Sequence, residues 1–295
     1  MAAQVSRMSL FFQKILPRRS VTRLAGVVAS SPQRWLAQPM IRWFIERYGV
    51  DMSEALHPQP EHYASFNDFF TRALRPGARP LASCDWICPV DGAISQLGRV
   101  QQGRIVQAKG RDYTAAELLA DPERAAIYAD GYFATLYLSP RDYHRIHMPC
   151  DGRLLRMSHV PGDLYSVNPA TAQGLDRLFA RNERLVCWFE GPQGPFVLVL
   201  VGATIVGSMA TSWHGVVNTE RPGAIRHWQY GAQGHAEVAL RQGEEMGRFQ
   251  LGSTVIVLMP PDVPLRWQPR WQPGAAIRMG EAMAERVHAP AQEPT

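Results

Sequence analysis

Glu245-Met-Gly-Arg-Phe-Gln-Leu-Gly-Ser-Thr-Val-Ile-Val257 passes within a few residues from a polar stretch, through a Gly-Ser pair, into a β-branched apolar run that continues to Met259. The run has the length and composition of a buried strand. Outward from it, the chain between Trp86 and Met259 repeats the pattern of short apolar runs separated by glycine and proline. Strands are predicted over Ala93 to Leu97, Ile105 to Ala108, Phe133 to Leu138, Leu185 to Phe189, Phe196 to Val206, Ala236 to Leu240 and Thr254 to Met259. Long strands alternating with long helices are absent, as are G-x-G-x-x-G and P-loop motifs, which argues against a doubly wound nucleotide fold. The fold class expected is α+β: a β-rich main domain with peripheral helices and an N-terminal helical segment.

That N-terminal segment carries the charge. Eight of the 31 Arg and Lys residues lie in residues 1–50 against the single acid Glu46, which leaves the rest of the chain slightly acidic. Val5, Met8, Phe12 and Ile15 share one helix face, bordered by Arg7, Lys14, Arg18 and Arg19, and Pro17 stops the run. A second helix is predicted from Ser31 as N-cap and Pro32 at the first helical position through Trp35, Leu36, Met40, Trp43, Phe44 and Tyr48, ended by Gly49. Such helices can simply pack on the main domain. Interleaved arginines and aromatics favour instead a peripheral contact with an anionic membrane surface over a nucleic acid. The domain boundaries expected are 1–62 for the membrane-associating helices and linker, 63–284 for the β-rich domain, with a short helix over Ser65 to Leu74, and 285–295 for a loose tail.

With 295 residues and 46% apolar composition the chain can bury a sizeable core. Four cysteines, Cys84, Cys88, Cys150 and Cys187, make no disulfide framework, and the sequence opens without a signal-peptide pattern, so a reducing cytosolic location is expected. The longest apolar stretch, Phe196 to Val206, falls well short of the roughly 20 residues a spanning helix needs.

Chemistry concentrates in a few places. Ser139-Pro-Arg-Asp-Tyr-His-Arg-Ile-His-Met-Pro-Cys-Asp-Gly152 follows an apolar strand and holds His144 and His147, whose imidazoles titrate near neutrality. As a metal site its H-x-x-H-x-x-C pattern lacks a familiar zinc spacing, and no metal is expected. Pro89-Val-Asp-Gly92 offers a carboxylate, Asp91, at a turn, where an aspartate is ordinarily structural. Gly252-Ser253 is one of two Gly-Ser pairs, Gly207-Ser208 being the other, and each alone reads as a loop or strand entry. The chain has only two lysines, Lys14 and Lys109. Pyridoxal chemistry needs a lysine, and Lys109 in Gln107-Ala-Lys-Gly110 gives that route no support.

Taken together, Leu251-Gly-Ser-Thr254, the block Leu138 to Gly152, Val160-Pro-Gly-Asp-Leu-Tyr-Ser-Val-Asn168, Leu178-Phe-Ala-Arg-Asn-Glu-Arg184 and Val201-Gly-Ala-Thr-Ile-Val-Gly-Ser208 resemble the bacterial phosphatidylserine decarboxylases of the proenzyme type, over most of the chain. The resemblance implies self-cleavage between Gly252 and Ser253 into a β chain of residues 1–252 and an α chain of residues 253–295, which stay associated. It implies conversion of Ser253 to a covalent pyruvoyl group that forms a Schiff base with the amine of phosphatidylserine, giving phosphatidylethanolamine and CO2. It assigns Asp91, His147 and Ser253 to a charge relay for the cleavage, and His144 to substrate contact or proton donation. A location at the cytoplasmic face of the cell membrane follows. The oligomeric state stays open, a homodimer being one outcome.

Two rival readings stand beside it. Asp91, His147 and Ser253 could serve a lipid-directed serine hydrolase, although no G-x-S-x-G elbow is present. A noncatalytic membrane-binding or carrier module would display a lysine on a tight hairpin, a context the sequence around Lys109 does not suggest.

Overall fold

Ser253 opens the strand Ser253–Met259, and all seven of its residues are buried. Its Val255-Ile-Val257 core is β-branched, which stiffens the side chains and suits an extended backbone packed on both faces. The computed structural model describes residues 25–203, 208–217, 223–232, 234–250, 253–262 and 264–287.

This strand is central in a nine-stranded sheet. In chain order the members are β1 (Gly92–Arg99), β2 (Tyr132–Leu138), β3 (Gly152–Val160), β4 (Arg184–Gly191), β5 (Gly194–Val201), β6 (Arg226–Gln229), β7 (Ala239–Leu240), β8 (Ser253–Met259) and β9 (Ala276–Ile277). In space they run β6-β3-β4-β5-β8-β2-β1-β9, with β7 also paired to β3. Every pairing is antiparallel. β4 and β5 form a tight hairpin in which Gly191 faces Gly194. A smaller sheet orders Gly215–Val216, Met209–Thr211, Glu245–Phe249 and Arg145–His147. The described chain is thus β-rich with few helices.

Each predicted strand is found, with two corrections of length. The strand expected over Phe196 to Val206 ends at Val201, before Gly202; residues 204–207 lie outside the described residues. The run expected over Ala236 to Leu240 pairs only at Ala239 and Leu240, which reach Arg153 and Gly152 of β3. β3 escaped the sequence reading because Arg153, Arg156, Ser158 and His159 interrupt its apolar residues. Lys109 requires a correction too. It stands exposed with Gly110 in the tight turn between Arg104–Ala108 and Arg111–Thr114, a hairpin whose left-handed position Gly110 fills at φ 72°.

The second predicted helix spans Arg34–Tyr48, starting later than expected with Gln33 as N-cap. The Ser31 hydroxyl instead accepts from the Gln33 N–H in the connection from helical residues 25–30. Gly49 ends the helix in the left-handed conformation, as expected. Ala37, Ile41 and Phe44 pack with Phe66, Phe69 and Phe70 in a core cluster separate from that of the large sheet. The short helix is confined to Phe66–Phe70, its N-cap Ser65 accepting from the Asp68 N–H. On the opposite face of Arg34–Tyr48, Trp35 and Trp43 are 74% and 57% exposed. The helix face predicted from Val5 to Ile15 lies outside the described residues. Among the described residues no helix is long and apolar enough to cross a membrane.

Candidate active site

Ser253 faces Leu138 across the β8–β2 ladder and is fully buried, and its Oγ has no hydrogen-bond partner. A buried hydroxyl without a partner forfeits about 1–3 kcal/mol, so its retention at the head of an aliphatic strand asks for a chemical reason. Gly252, on the other side of the expected cleavage point, lies outside the described residues.

The histidine block begins opposite this position. From Leu138, opposite Ser253, the chain returns so that the Phe249 N–H donates to the His144 carbonyl at 3.1 Å, and Ile146 and His147 face Gly247 and Glu245. Residues 138–147 therefore contact the chain on both sides of residues 250–252.

The two imidazoles differ in what they can do. His144 is buried against the Phe70 ring, 4.1 Å between centroids, and its Nδ1 lies 2.8 Å from the Asp142 carbonyl. A carbonyl only accepts, so Nδ1 carries the proton and Nε2 presents a lone pair, which is buried without a partner. Burial pushes the His144 pKa down to about 3, which keeps the ring neutral. Nε2 can therefore donate a proton only after taking one. His147 has both nitrogens engaged: Nδ1 donates to the Gly243 carbonyl at 2.7 Å, and Nε2 meets the Tyr143 hydroxyl at 3.0 Å. Burial lowers the His147 pKa as well, against the opposing charges of Glu245 and Asp91.

Asp91 is buried, but its hydrogen bonds go elsewhere than to His147. Oδ1 accepts from Arg79 Nε at 3.0 Å and from the Met279 N–H at 2.8 Å, and Oδ2 accepts from Arg79, which also bonds Glu54 Oε2 at 2.7 Å. Asp91 and Tyr143 line one cleft of about 460 Å3, together with Arg72, Arg79, Arg141 and Asp142. The structure thus brings Asp91 within electrostatic range of His147 without a direct bond. Arg79 and Gly243, which fix Asp91 and His147, were missed in the sequence because they come from other segments, and Tyr143, four residues before His147, gave no sign of its bond to Nε2. Among the described residues no three His, Cys, Asp or Glu side chains group as metal ligands.

Residues 66–285 match the family described as Phosphatidylserine decarboxylase, and residues 8–49 match a second described as PSD. The chain is 60% identical over 280 residues to a protein of Polaromonas naphthalenivorans, covering 95% of this chain and 96% of the other. It is 61% identical to one of Methylibium petroleiphilum, covering 94% and 97%, and 62% identical to one of Chromobacterium violaceum, covering 94% and 99%. Each of the three is named phosphatidylserine decarboxylase proenzyme. The chain belongs to the phosphatidylserine decarboxylase family. The family match begins at Phe66, inside the helix whose Phe70 ring packs on His144, and it includes every candidate site residue.

Proposed function

We propose that this chain is a phosphatidylserine decarboxylase proenzyme that cuts itself between Gly252 and Ser253 and works through a pyruvoyl group made from Ser253. The observation that carries the reading is the buried, unpartnered Ser253 hydroxyl at the head of β8, inside the histidine block. For the cut, Ser253 Oγ attacks the Gly252 carbonyl carbon as its proton passes to His147 Nε2, and the peptide bond becomes an ester. The Tyr143 hydroxyl holds that Nε2 in the resting chain, so the relay forms when the ring exchanges this partner for Ser253. Gly243 fixes the tautomer, and the charge of Asp91 favours the imidazolium through space. Elimination then leaves Gly252 as a carboxylate, and hydrolysis at residue 253 releases ammonia.

Position 253 fits a pyruvoyl group: it is dry, it heads a strand, and no hydrogen bond would be lost on converting the hydroxyl. Bound there, the group supplies the electrophilic carbonyl and electron sink that no ordinary side chain offers. His144 Nε2, neutral and unpartnered, takes a proton and returns it to the substrate. The 253–295 chain stays associated because β8 is paired to β5 on one side and β2 on the other. The division into residues 1–62, 63–284 and 285–295 completes this reading with its last boundary moved outward, because the strand Ala282–Arg286 keeps Glu285 and Arg286 paired with Arg266 and Leu265.

The exposed Trp35 and Trp43, with Arg34, Arg42 and Arg47 beside them, form the peripheral contact with the cytoplasmic face of the membrane. Replacing both tryptophans by Ala should weaken flotation with anionic vesicles about tenfold, at ~1.4 kcal/mol per decade. Unchanged flotation would place the contact elsewhere. The catalytic reading is tested with phosphatidylserine vesicles. Wild-type protein should release CO2 and phosphatidylethanolamine while Ser253→Ala stays full length and inactive, and a cleaved or active Ser253→Ala protein would overturn it.

A further inference from the structure

Three stretches that carry the family resemblance have no part in the relay: Val160 to Asn168, Leu178 to Arg184 and Val201 to Ser208. The fold brings their described residues together beside Ser253. The Asn182 side chain stitches them: Oδ1 accepts from the Tyr165 N–H at 3.1 Å, and Nδ2 donates to the Tyr165 carbonyl at 2.8 Å and the Gly202 carbonyl at 2.8 Å.

Register then decides which side chains meet. Thr254, Val201, Arg184 and Val160 lie opposite one another across β8, β5, β4 and β3. The Gly202 N–H donates to the Glu183 carbonyl at 2.9 Å and carries the ladder one residue further. Ser253, Gly202 and Glu183 therefore form the next row, and directly opposed residues share a face. Two residues inward on that face come Val255, Leu200, Leu185 and His159. His159 Nε2 lies 2.8 Å from Glu183 Oε1, and the two side chains are 0% and 4% exposed. His159 Nδ1 is buried without a partner.

A carboxylate–imidazole pair on an otherwise aliphatic face is costly to bury, and apolar residues there would hold the sheet at least as well. Between Glu183 and position 253, about two strand spacings or ~10 Å of backbone apart, the row itself contributes no side chain, because residue 202 is glycine, and the Leu164 side chain lies over that position. A Cβ on Gly202 would meet the Glu183 carbonyl at 3.3 Å and Leu164 Cδ2 at 3.8 Å, and no other described atom within 4 Å.

We propose that Glu183, positioned by His159, receives the primary ammonium group of the lipid headgroup beside residue 253. This rests on the reading that residue 253 is the reacting position. An ammonium nitrogen has no free lone pair and cannot bond to a carbonyl carbon. The Glu183 carboxylate takes one proton from it, the N–H bond breaks, and its electron pair becomes the nitrogen's lone pair. Nothing is oxidised or reduced. A quaternary headgroup has no proton to give, and an uncharged headgroup has no attraction for the carboxylate.

The test uses the full-length protein, glycerophosphoethanolamine as a soluble probe that carries the primary ammonium but no carboxylate to lose, and glycerophosphocholine as its quaternary counterpart. Electrophoresis reads processing, and calorimetry reads binding. Glu183→Gln should mature normally, bind the ethanolamine probe at least tenfold more weakly, and decarboxylate phosphatidylserine about 10²-fold more slowly, with activity recovering as pH rises and solution bases free the amine. His159→Gln should give the same pattern at smaller amplitude. Should Glu183→Gln fail to fold, Gly202→Ala leaves the pair in place and fills the gap; it should mature and lose probe binding. Wild-type binding and activity in a mature Glu183→Gln protein would overturn the proposal. So would a folded but uncut Glu183→Gln protein, which would assign the pair to cleavage, or undiminished probe binding by Gly202→Ala. An uncut wild-type protein would instead overturn the assignment of residue 253 itself.

Discussion

β8 has two flanks with different constructions. On the β2 side the polar groups, His144, His147 and Asp91, sit on a returning segment, a three-residue strand of the smaller sheet and a turn, and their partners come from four parts of the chain, at Arg79, Asp142 and Tyr143, Gly243, and Met279. On the β5 side, Glu183 and His159 lie in and beside the regular ladder of the large sheet, fixed by strand register. The first flank holds the chain both before and after residues 250–252, at Phe249 and at Ser253. Within the large sheet the second meets only residues from Ser253 onward, while the chain beyond β5 reaches the other side at Ser208, whose carbonyl accepts from the Gln250 N–H at 3.0 Å. A device for cutting must grip both sides of a bond; a device for substrate needs only the side that keeps the reactive group. On the proposed reading, the side carrying His144, His147 and Asp91 serves maturation and the side carrying Glu183 and His159 serves turnover.

The largest test of that separation is His147→Ala. It should abolish cleavage on the time scale of purification, read as one band on a denaturing gel, while its melting temperature and the β5-side flank stay near wild type. Efficient cleavage would show that His147 is not the base that activates Ser253. A graded version follows from the lowered pKa of His147. The base is neutral above its pKa, so the precursor should mature at an undiminished rate from neutral pH down through the ordinary imidazole range near 6.5, and slow only under more acidic conditions. A decline centred at 6.5 or above in a pH series of cleavage rates would contradict the buried geometry. The smallest effect concerns the opposite face of β8. Thr254 Oγ1 is also buried and unpartnered, but it points away from the row of Ser253 and Glu183. Thr254→Val should change stability by less than about 1 kcal/mol and leave processing intact. Impaired cleavage would show that facing does not decide the role.

Much of this was legible in the sequence for definite reasons. The strands of the sheet centre, such as Phe133 to Leu138 and Thr254 to Met259, are buried on both faces and read as unbroken apolar runs. Gly49 announced the end of its helix because a left-handed residue is needed there. β3 did not announce itself, since its basic and polar residues are matched to neighbours supplied by the fold, Arg156 to Asp121 and His159 to Glu183. Ser253, His144, His147 and Asp91 could be named through the family resemblance, but not their partners. That Arg79 takes the Asp91 carboxylate and the Gly243 carbonyl takes the His147 Nδ1–H depends on how separate segments meet. Lys109 shows the same limit, for the hairpin that presents it depends on Arg104–Ala108 pairing with Arg111–Thr114.

The intact mass of the purified protein decides whether residue 253 has been converted. Two chains are expected, residues 1–252 and 253–295, the smaller lighter by one ammonia than a peptide beginning with serine. A single 33.0 kDa chain with an unmodified Ser253 would contradict that conversion.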